Sequence, residues 1–217
     1  MEEGQAVVSA VALMLGASWA SGINLYAAIL ALGLMGATGS IDLPPTLEIV
    51  ESPVVIMAAG VMYVIEFFAD KVPGVDTGWD ALHTFVRIPG GAMLAAAAVG
   101  ETDPSIQVAA FLLGGSMSAV SHATKAGSRI VVNTSPEPFT NIGLSLSEDV
   151  AVFTGMWAAL NYPLLFIGLM IAFVAFAIWL LPKIWRGVKR VFAWIVRLFG
   201  GGKEEKESAA GGTGGSG

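Results

Sequence analysis

Apolar runs dominate this chain, and the points where they stop predict its elements. Residues 5–37 are nearly free of charge, and they exceed the roughly 20 residues a helix needs to cross the hydrocarbon core. Their middle reads Leu15-Gly-Ala-Ser-Trp-Ala-Ser-Gly-Ile-Asn24, which predicts a break, a re-entrant pair or one long tilted helix. A loop with Pro44 and Pro45 precedes a second span over 48–69, with Glu51 at one end and Glu66 and Asp70 at the other. Pro73-Gly74 marks a turn, and a helix follows over 76–87. Pro89-Gly90-Gly91 is expected to break that helix before an alanine-rich segment ending near Val99. Residues 105–133 read as a helix that is apolar first and polar later. The loop 133–141 holds two prolines, which lack the donor a helix needs. Residues 147–181 are again too long for one span, and Asn161-Tyr162-Pro163 divides them into a short helix and an apolar helix over 164–181.

Beyond Pro182 the character changes. Lys183, Arg186, Lys189, Arg190 and Arg197 are interleaved with Trp185, Val188, Phe192, Ile195 and Phe199. The apolar set is spaced 3, 4, 3, 4, one face of a helix. A basic amphipathic helix over 183–199, lying on the membrane surface or packed on a partner, is the expectation. The positive-inside rule then places the C-terminus in the cytoplasm. Residues 200–217 are expected to be disordered and end in a Gly/Ser-rich linker. The membrane domain would be 1–182. Its halves, 5–100 and 105–182, share a thin self-similarity: Leu15-Gly-Ala-Ser18 against Leu113-Gly-Gly-Ser116, Glu51 against Glu148, and Gly60 against Gly155. Inverted repeats with interrupted helices are a recurrent plan of transporters.

Composition narrows the class. Of 217 residues, 55% are hydrophobic and only 13% charged, with a mean hydropathy of +0.72; soluble domains carry about 25% charge. The chain reads as an integral membrane protein. It has no cysteine, so thiolate chemistry and disulfides are excluded. A net charge of −6 argues against nucleic acid as a partner. The acidic N-terminus lacks the basic region of a signal peptide, so the first hydrophobic segment is expected to remain.

Against that background the charges stand out. At 100° per residue Asp76, Asp80, His83 and Arg87 fall within about 60° of one another, with Trp79, Leu82 and Val86 on another side. Ser118, His122, Lys125 and Arg129 repeat the same 4, 3, 4 spacing. Glu66 and Asp70 form a third set and Glu148-Asp149 a fourth. One Asp, Lys or Arg at the bilayer centre costs about 2.5–3.5 kcal/mol. These side chains must therefore pair, line a wet cavity or lie at the interface. A surface helix is the plain alternative for 76–87, but surface-seeking helices carry Lys and Arg, and this one carries two aspartates and a histidine. The stripes are expected to face one another across a cavity. Asp80 and His83 could ligate an ion, a divalent cation included, or relay protons; Arg87 and Arg129 would neutralise acids or hold an anionic group. Glycine-broken segments near Gly16, Gly22 and Pro89-Gly90-Gly91 would supply hinges. No His-Glu-x-x-His, Walker A or Gly-x-Ser-x-Gly motif occurs. Ser18, Ser116 and Ser118 suit close helix packing.

Two stretches taken together, "EFFADKVPGVDTGWDALHTFVRIPGGA" from Glu66 and "SHATKAGSRIVVNTSPEPFTNIGLSLSED" from Ser121, resemble a bacterial integral-membrane family catalogued only as a domain of unknown function. The resemblance covers about residues 5–182. It implies an inner-membrane protein and supplies no activity. "EFFADK" is also similar to the Glu-x-Gly-Asp-Lys motif of a cation/proton exchanger family, with one extra residue, Ala69 for the glycine, and no second copy. The expectation is an all-α polytopic membrane protein of about six membrane segments, some broken or re-entrant, acting as a small transporter or channel for an ion or charged solute. A protein that binds or processes a phosphorylated lipid, with His83 or His122 as acid or base, and a non-catalytic scaffold are the alternatives. Membrane lipids are expected partners, and a homo-oligomer is left open.

Overall fold

The computed structural model describes residues 2–72, 74–132 and 138–200. The fold is all-helical, with no strand among the described residues. The helices are α1 (Glu2–Ala37), α2 (Pro53–Ala69, after a 3-10 turn at Glu48–Glu51), α3 (Val75–Ala98), α4 (Pro104–Val132), α5 (Pro138–Asn161) and α6 (Pro163–Gly200). α1, α4 and α6 are long and apolar enough to cross a membrane. α2, with 17 residues, measures about 25 Å at 1.5 Å per residue.

α1 is the central element. It packs against all five other helices, and its residues from Ala12 to Ala28 are almost continuously buried. Small residues make this possible. A Cβ on Gly22 would collide with Ser121 Oγ and the Ser118 carbonyl of α4. A Cβ on Gly91 of α3 would lie 2.6 Å from Ser118 Cβ, and one on Gly114 of α4 would meet Ala95 of α3. Without a hydrophobic drive between helices in lipid, such close approach supplies the packing. The outside is the reverse of a soluble protein's: Leu82 (70% exposed), Phe85 (82%), Leu164 (74%) and Ile178 (69%) face outward.

Several expected boundaries shift. The long first segment is broken within the expected stretch, at Asn24, whose backbone is extended (φ −152°, ψ 98°). Its Oδ1 accepts the Ala27 amide at 2.9 Å and so restarts the helix as an N-cap would. Gly16 and Gly22 are therefore contact points, not hinges: a Cβ on Gly16 would sit 2.8 Å from Ala159 Cβ. α3 runs unbroken through Pro89-Gly90-Gly91. There the Arg87 carbonyl accepts hydroxyls from Ser21 of α1 (2.7 Å) and Ser118 of α4 (2.9 Å). Neighbouring helices thus brace the turn that proline weakens. α5 begins at Pro138, where a first-turn proline is tolerated, so the short helix is longer than expected and the loop shorter. The division at Asn161-Tyr162-Pro163 is present. α6 continues through Pro182 to Gly200, so the basic segment extends α6 and is not a separate helix. The loop residues 133–137, the side chains of Phe192, Ile195, Arg197 and Phe199, and the tail 201–217 lie outside the described residues.

Outside the helices, Asp103 accepts the Ser105 amide (2.8 Å) and hydroxyl (2.6 Å) at the start of α4, and these bonds hold its carboxyl below the usual range. The close α1–α4 approach yields a direct expectation. Gly22→Ala should lose about 1–3 kcal/mol through overpacking against a backbone carbonyl. Gly168→Ala, with nothing within 4 Å, should be neutral or slightly stabilising. Thermal unfolding of the two detergent-purified variants reads the difference; equal midpoints would mean that α1 and α4 are not held in contact.

Candidate functional site: a buried ion-pair cluster

The buried face of α3 is its polar face. Asp76, Asp80, His83 and Arg87 are buried while Leu82, Phe85 and Val86 are exposed. α4 repeats the arrangement, with Ser118, His122, Lys125 and Arg129 all buried. α2 contributes Glu66 and its C-cap Asp70, and α5 contributes Asn141 and Glu148. The charges of the 76–87 helix thus turn into the bundle and its apolar side turns out.

The stripes meet side chain to side chain in three tiers, each built on one cation. Arg87, 0% exposed, donates to Asp80 Oδ1 at 2.6 Å and to Glu66 Oε1 at 2.9 Å. Lys125 Nζ sits at the centre, 2.7 Å from Asp70 Oδ2, 3.6 Å from Asp80 Oδ1, 3.6 Å from Glu148 Oε2 and 3.7 Å from Glu66 Oε1. It also donates to the Ile23 carbonyl at 3.0 Å. That carbonyl is free because the Ala27 amide is taken by Asn24 Oδ1. The break in α1 thereby turns a backbone oxygen toward the cluster. Arg129, 0% exposed, donates to the Asp70 carbonyl (2.6 Å), Asn141 Oδ1 (3.1 Å) and Glu148 Oε2, and lies 3.4 Å from Asp70 Oδ2 and 3.5 Å from Asp76 Oδ2. Asn141 returns a bond to the Asp70 carbonyl at 3.2 Å.

His122 borders the first tier. Arg87 Nη1 lies 3.3 Å from its Nδ1 and Thr84 Oγ1 2.7 Å from its Nε2, and Thr84 donates to the Asp80 carbonyl at 3.0 Å.

Nine of the expected residues therefore converge: Glu66, Asp70, Asp76, Asp80, Arg87, His122, Lys125, Arg129 and Glu148. The other two, His83 and Asp149, stay outside these contacts. His83 donates Nδ1–H to its own turn at the Trp79 carbonyl (2.9 Å). Its ring stacks on Trp79 with centroids 4.3 Å apart and meets Tyr26 edge-on at 5.8 Å. Asp149 is buried with one oxygen unpartnered. Asp80 engages Arg87 and Lys125, and among the described residues no group of three His, Asp or Glu side chains is placed to hold a metal ion. Sequence reasoning missed Asn141, Thr84 and the Ile23 carbonyl. Only the first carried a signal, as a polar residue three positions after the start of α5.

The charge balance is uneven. Glu66, Asp70, Asp76, Asp80 and Glu148 face Arg87, Lys125 and Arg129, five carboxylates against three cations. Glu66 Oε2, Asp70 Oδ1 and Asp80 Oδ2 are buried without a hydrogen-bond partner. Unpaired charge inside a protein is costly, so such a cluster has capacity for protons or for a further cation. Glu148, with a side chain 13% exposed, is its most accessible member.

The model of a family described as "Domain of unknown function (DUF4126)" matches residues 11–183. The chain belongs to this family, whose match spans every member of the cluster and stops just after Pro182. No curated protein and no solved structure matches the chain.

Proposed function

We propose that this member of the DUF4126 family is a small membrane transporter or channel whose permeating species is a small cation, passed through the buried cluster between α2, α3, α4 and α5. The observation that carries the reading is the excess of carboxylates over cations in a largely buried site, set against a helix break that lends it a backbone carbonyl. Intramembrane ionisable residues of this kind mark ion and proton pathways, and discontinuous helices whose freed carbonyls face the site are the usual way a membrane protein coordinates a cation. Asp80 and Glu66 serve as ion or proton ligands, Glu148 as the point of entry, and Arg87 and Arg129 as fixed counter-charges.

The same geometry weighs against a phosphorylated-lipid ligand. Its phosphate would need the guanidinium Nη donors of Arg87 and Arg129, and these already bind carboxylates, carbonyls and Asn141. In this reading the chain is a multi-pass protein of a bacterial inner membrane with about six membrane segments and a cytoplasmic C-terminus. Halves 5–100 and 105–182 in inverted orientation would supply the two gates.

The test is flux in proteoliposomes. Purified protein is reconstituted with sodium, potassium or a proton gradient across the bilayer, and uptake is followed with ion-sensitive dyes. Asp80→Asn keeps the shape and removes the charge. A lost charge-assisted contact is worth about 1.5–3 kcal/mol, or roughly 10- to 100-fold in binding; flux should fall by that factor while the protein remains folded. Undiminished flux in Asp80→Asn, or no flux of any cation in the wild-type protein, overturns the reading.

A further inference from the structure

Both ends of α1 lie at one place. A straight helix of its 36 residues would measure about 54 Å at 1.5 Å per residue. Yet Ala6, Ser9 and Leu13 from its start line a cavity of about 400 Å³ together with Asp42 and Pro44 from just beyond its end, beside Ala98 of α3. Contacts along its length give the same answer. In the first half Ser18 lies against Gly114, Gly22 lies against Ser118 and Ser121, and the Ile23 carbonyl meets Lys125. This half runs parallel to α4, toward the cluster. In the second half Leu30 borders Gly60, Gly33 borders Ile56 and Gly36 borders Glu51. That half runs antiparallel to α2. Since α2 and α4 both end at the cluster, where Asp70 meets Lys125 and Arg129, the second half leads away from it again.

We infer that α1 is a re-entrant helix pair, entering and leaving the membrane on the face opposite the basic end of α6, and that its tip at Gly22-Ile23-Asn24 is the gate that closes the cluster from that face. The gate role rests on the transport reading; the hairpin stands without it. The sidedness follows from α6, which runs from Phe166 beside Gly16 to Ile184 beside Gly127 near the cluster end of α4, so Lys183, Arg186, Lys189 and Arg190 lie past the cluster. Non-helical backbone at membrane depth is tolerated where protein buries it, and Asn24 is 2% exposed. Leu13 to Ile23, about 15 Å of helix and nearly all buried, separates the cavity from the cluster. On the other face the Glu148 side chain is 13% exposed. The cluster is thus nearer to water on the basic side, and the first half of α1 is the barrier on the far side. The tip is also bound to two residues of the cluster. Lys125 Nζ donates to the Ile23 carbonyl at 3.0 Å, and the Arg87 carbonyl accepts the Ser21 hydroxyl at 2.7 Å. A rearrangement of either residue is therefore felt at the tip, which is what a gate coupled to its site requires.

The experiment is cysteine mapping, which a chain without cysteine allows with no background. Glu3→Cys, Ser40→Cys, Glu101→Cys and Arg190→Cys, all at exposed positions, are treated in sealed membrane vesicles with a membrane-impermeant maleimide before and after permeabilisation. The first three should be labelled from one face and Arg190→Cys from the other. A crossing α1 would place Ser40→Cys with Arg190→Cys, and that pattern overturns the proposal. The double variant Ala6→Cys/Asp42→Cys reads the same point in detergent, where orientation in the bilayer plays no part. A short bismaleimide should join the two sites within one chain, whereas a straight helix would hold them roughly 50 Å apart; no intrachain product overturns the hairpin. Ser21→Cys/Ser118→Cys tests the gate. Both hydroxyls bond the Arg87 carbonyl, so the two thiols lie close enough to be oxidised to a disulfide that locks the tip to α4. Cation flux in proteoliposomes should be lost on oxidation and return on reduction. Equal flux in the two forms, or a pair that does not oxidise, overturns the gate. Absence of flux in the wild-type protein removes the transport reading and the gate with it, while the labelling pattern still decides the hairpin.

Discussion

Arg87→Leu is expected to cost about 3–5 kcal/mol of stability at neutral pH, the usual penalty for removing one partner of a buried ion pair. In a chain of this size that corresponds to a fall of about 6–20 °C in the thermal midpoint. Leucine fills much of the space, so lost packing is the smaller part. The larger part is Glu66 and Asp80, which lose their donors at 2.9 and 2.6 Å and keep only the longer contacts to Lys125 at 3.7 and 3.6 Å. A companion measurement isolates that cause. Adding Glu66→Gln and Asp80→Asn to Arg87→Leu neutralises the stranded acids and should recover most of the loss, since a buried ion pair replaced as a whole is often close to neutral. A single variant whose midpoint stays within about 2 °C of wild type would show that Glu66 and Asp80 do not depend on Arg87 for their charge.

How this centre was legible in advance depends on which residues are asked about. The stripes of α3 and α4 were readable because a helix converts a 4, 3, 4 spacing into one face, and because charges in an apolar chain have few places to go. That reasoning places Arg87 with Arg129, and both with Glu66 and Asp70. It misplaced His83, which lies at one edge of the stripe by angle. The imidazole folds back onto Trp79 of its own helix and against Tyr26 of α1, and the second contact depends on a neighbour 57 positions away in sequence. Pro89-Gly90-Gly91 and Pro182 were read as helix ends, yet both lie inside helices. In a packed bundle a proline removes one bond, while glycine marks close contact as readily as it marks a turn. At Asn24 the expectation holds: the stretch of glycines, serines and this asparagine marks a break, and the side chain able to cap the restarted helix decides where in it the break falls. The Ile23 carbonyl had no signal at all, since every residue has one.

Arg129→Leu should lose a similar amount, about 3–5 kcal/mol, but the loss should be distributed differently. Arg129 joins four helices at one guanidinium: its own α4, the end of α2 through Asp70, the start of α3 through Asp76, and α5 through Asn141 and Glu148. The first half of α5 rests largely on such polar contacts, including Lys71 Nζ to Ser145 Oγ at 3.4 Å. The second half is packed on α1 through Gly155 against Trp19 and Ala159 against Gly16. Removing Arg129 should therefore loosen residues 138–149 before residues 150–161. Hydrogen exchange resolved along α5 reads this directly, because local opening free energies differ between cooperative segments of one protein. Arg129→Lys keeps the charge but offers one point of donation in place of a planar fork. Its single nitrogen cannot reproduce the spread of the two Nη groups, one reaching the Asp70 carbonyl and Asn141 and the other Glu148, so it should recover only part of the stability and leave the first half of α5 exchanging faster than in the wild-type protein. Full recovery by lysine would mean that net charge, rather than the fork, holds α5 to the cluster. Uniform exchange along α5 in Arg129→Leu would mean that the helix is secured as one unit by α1.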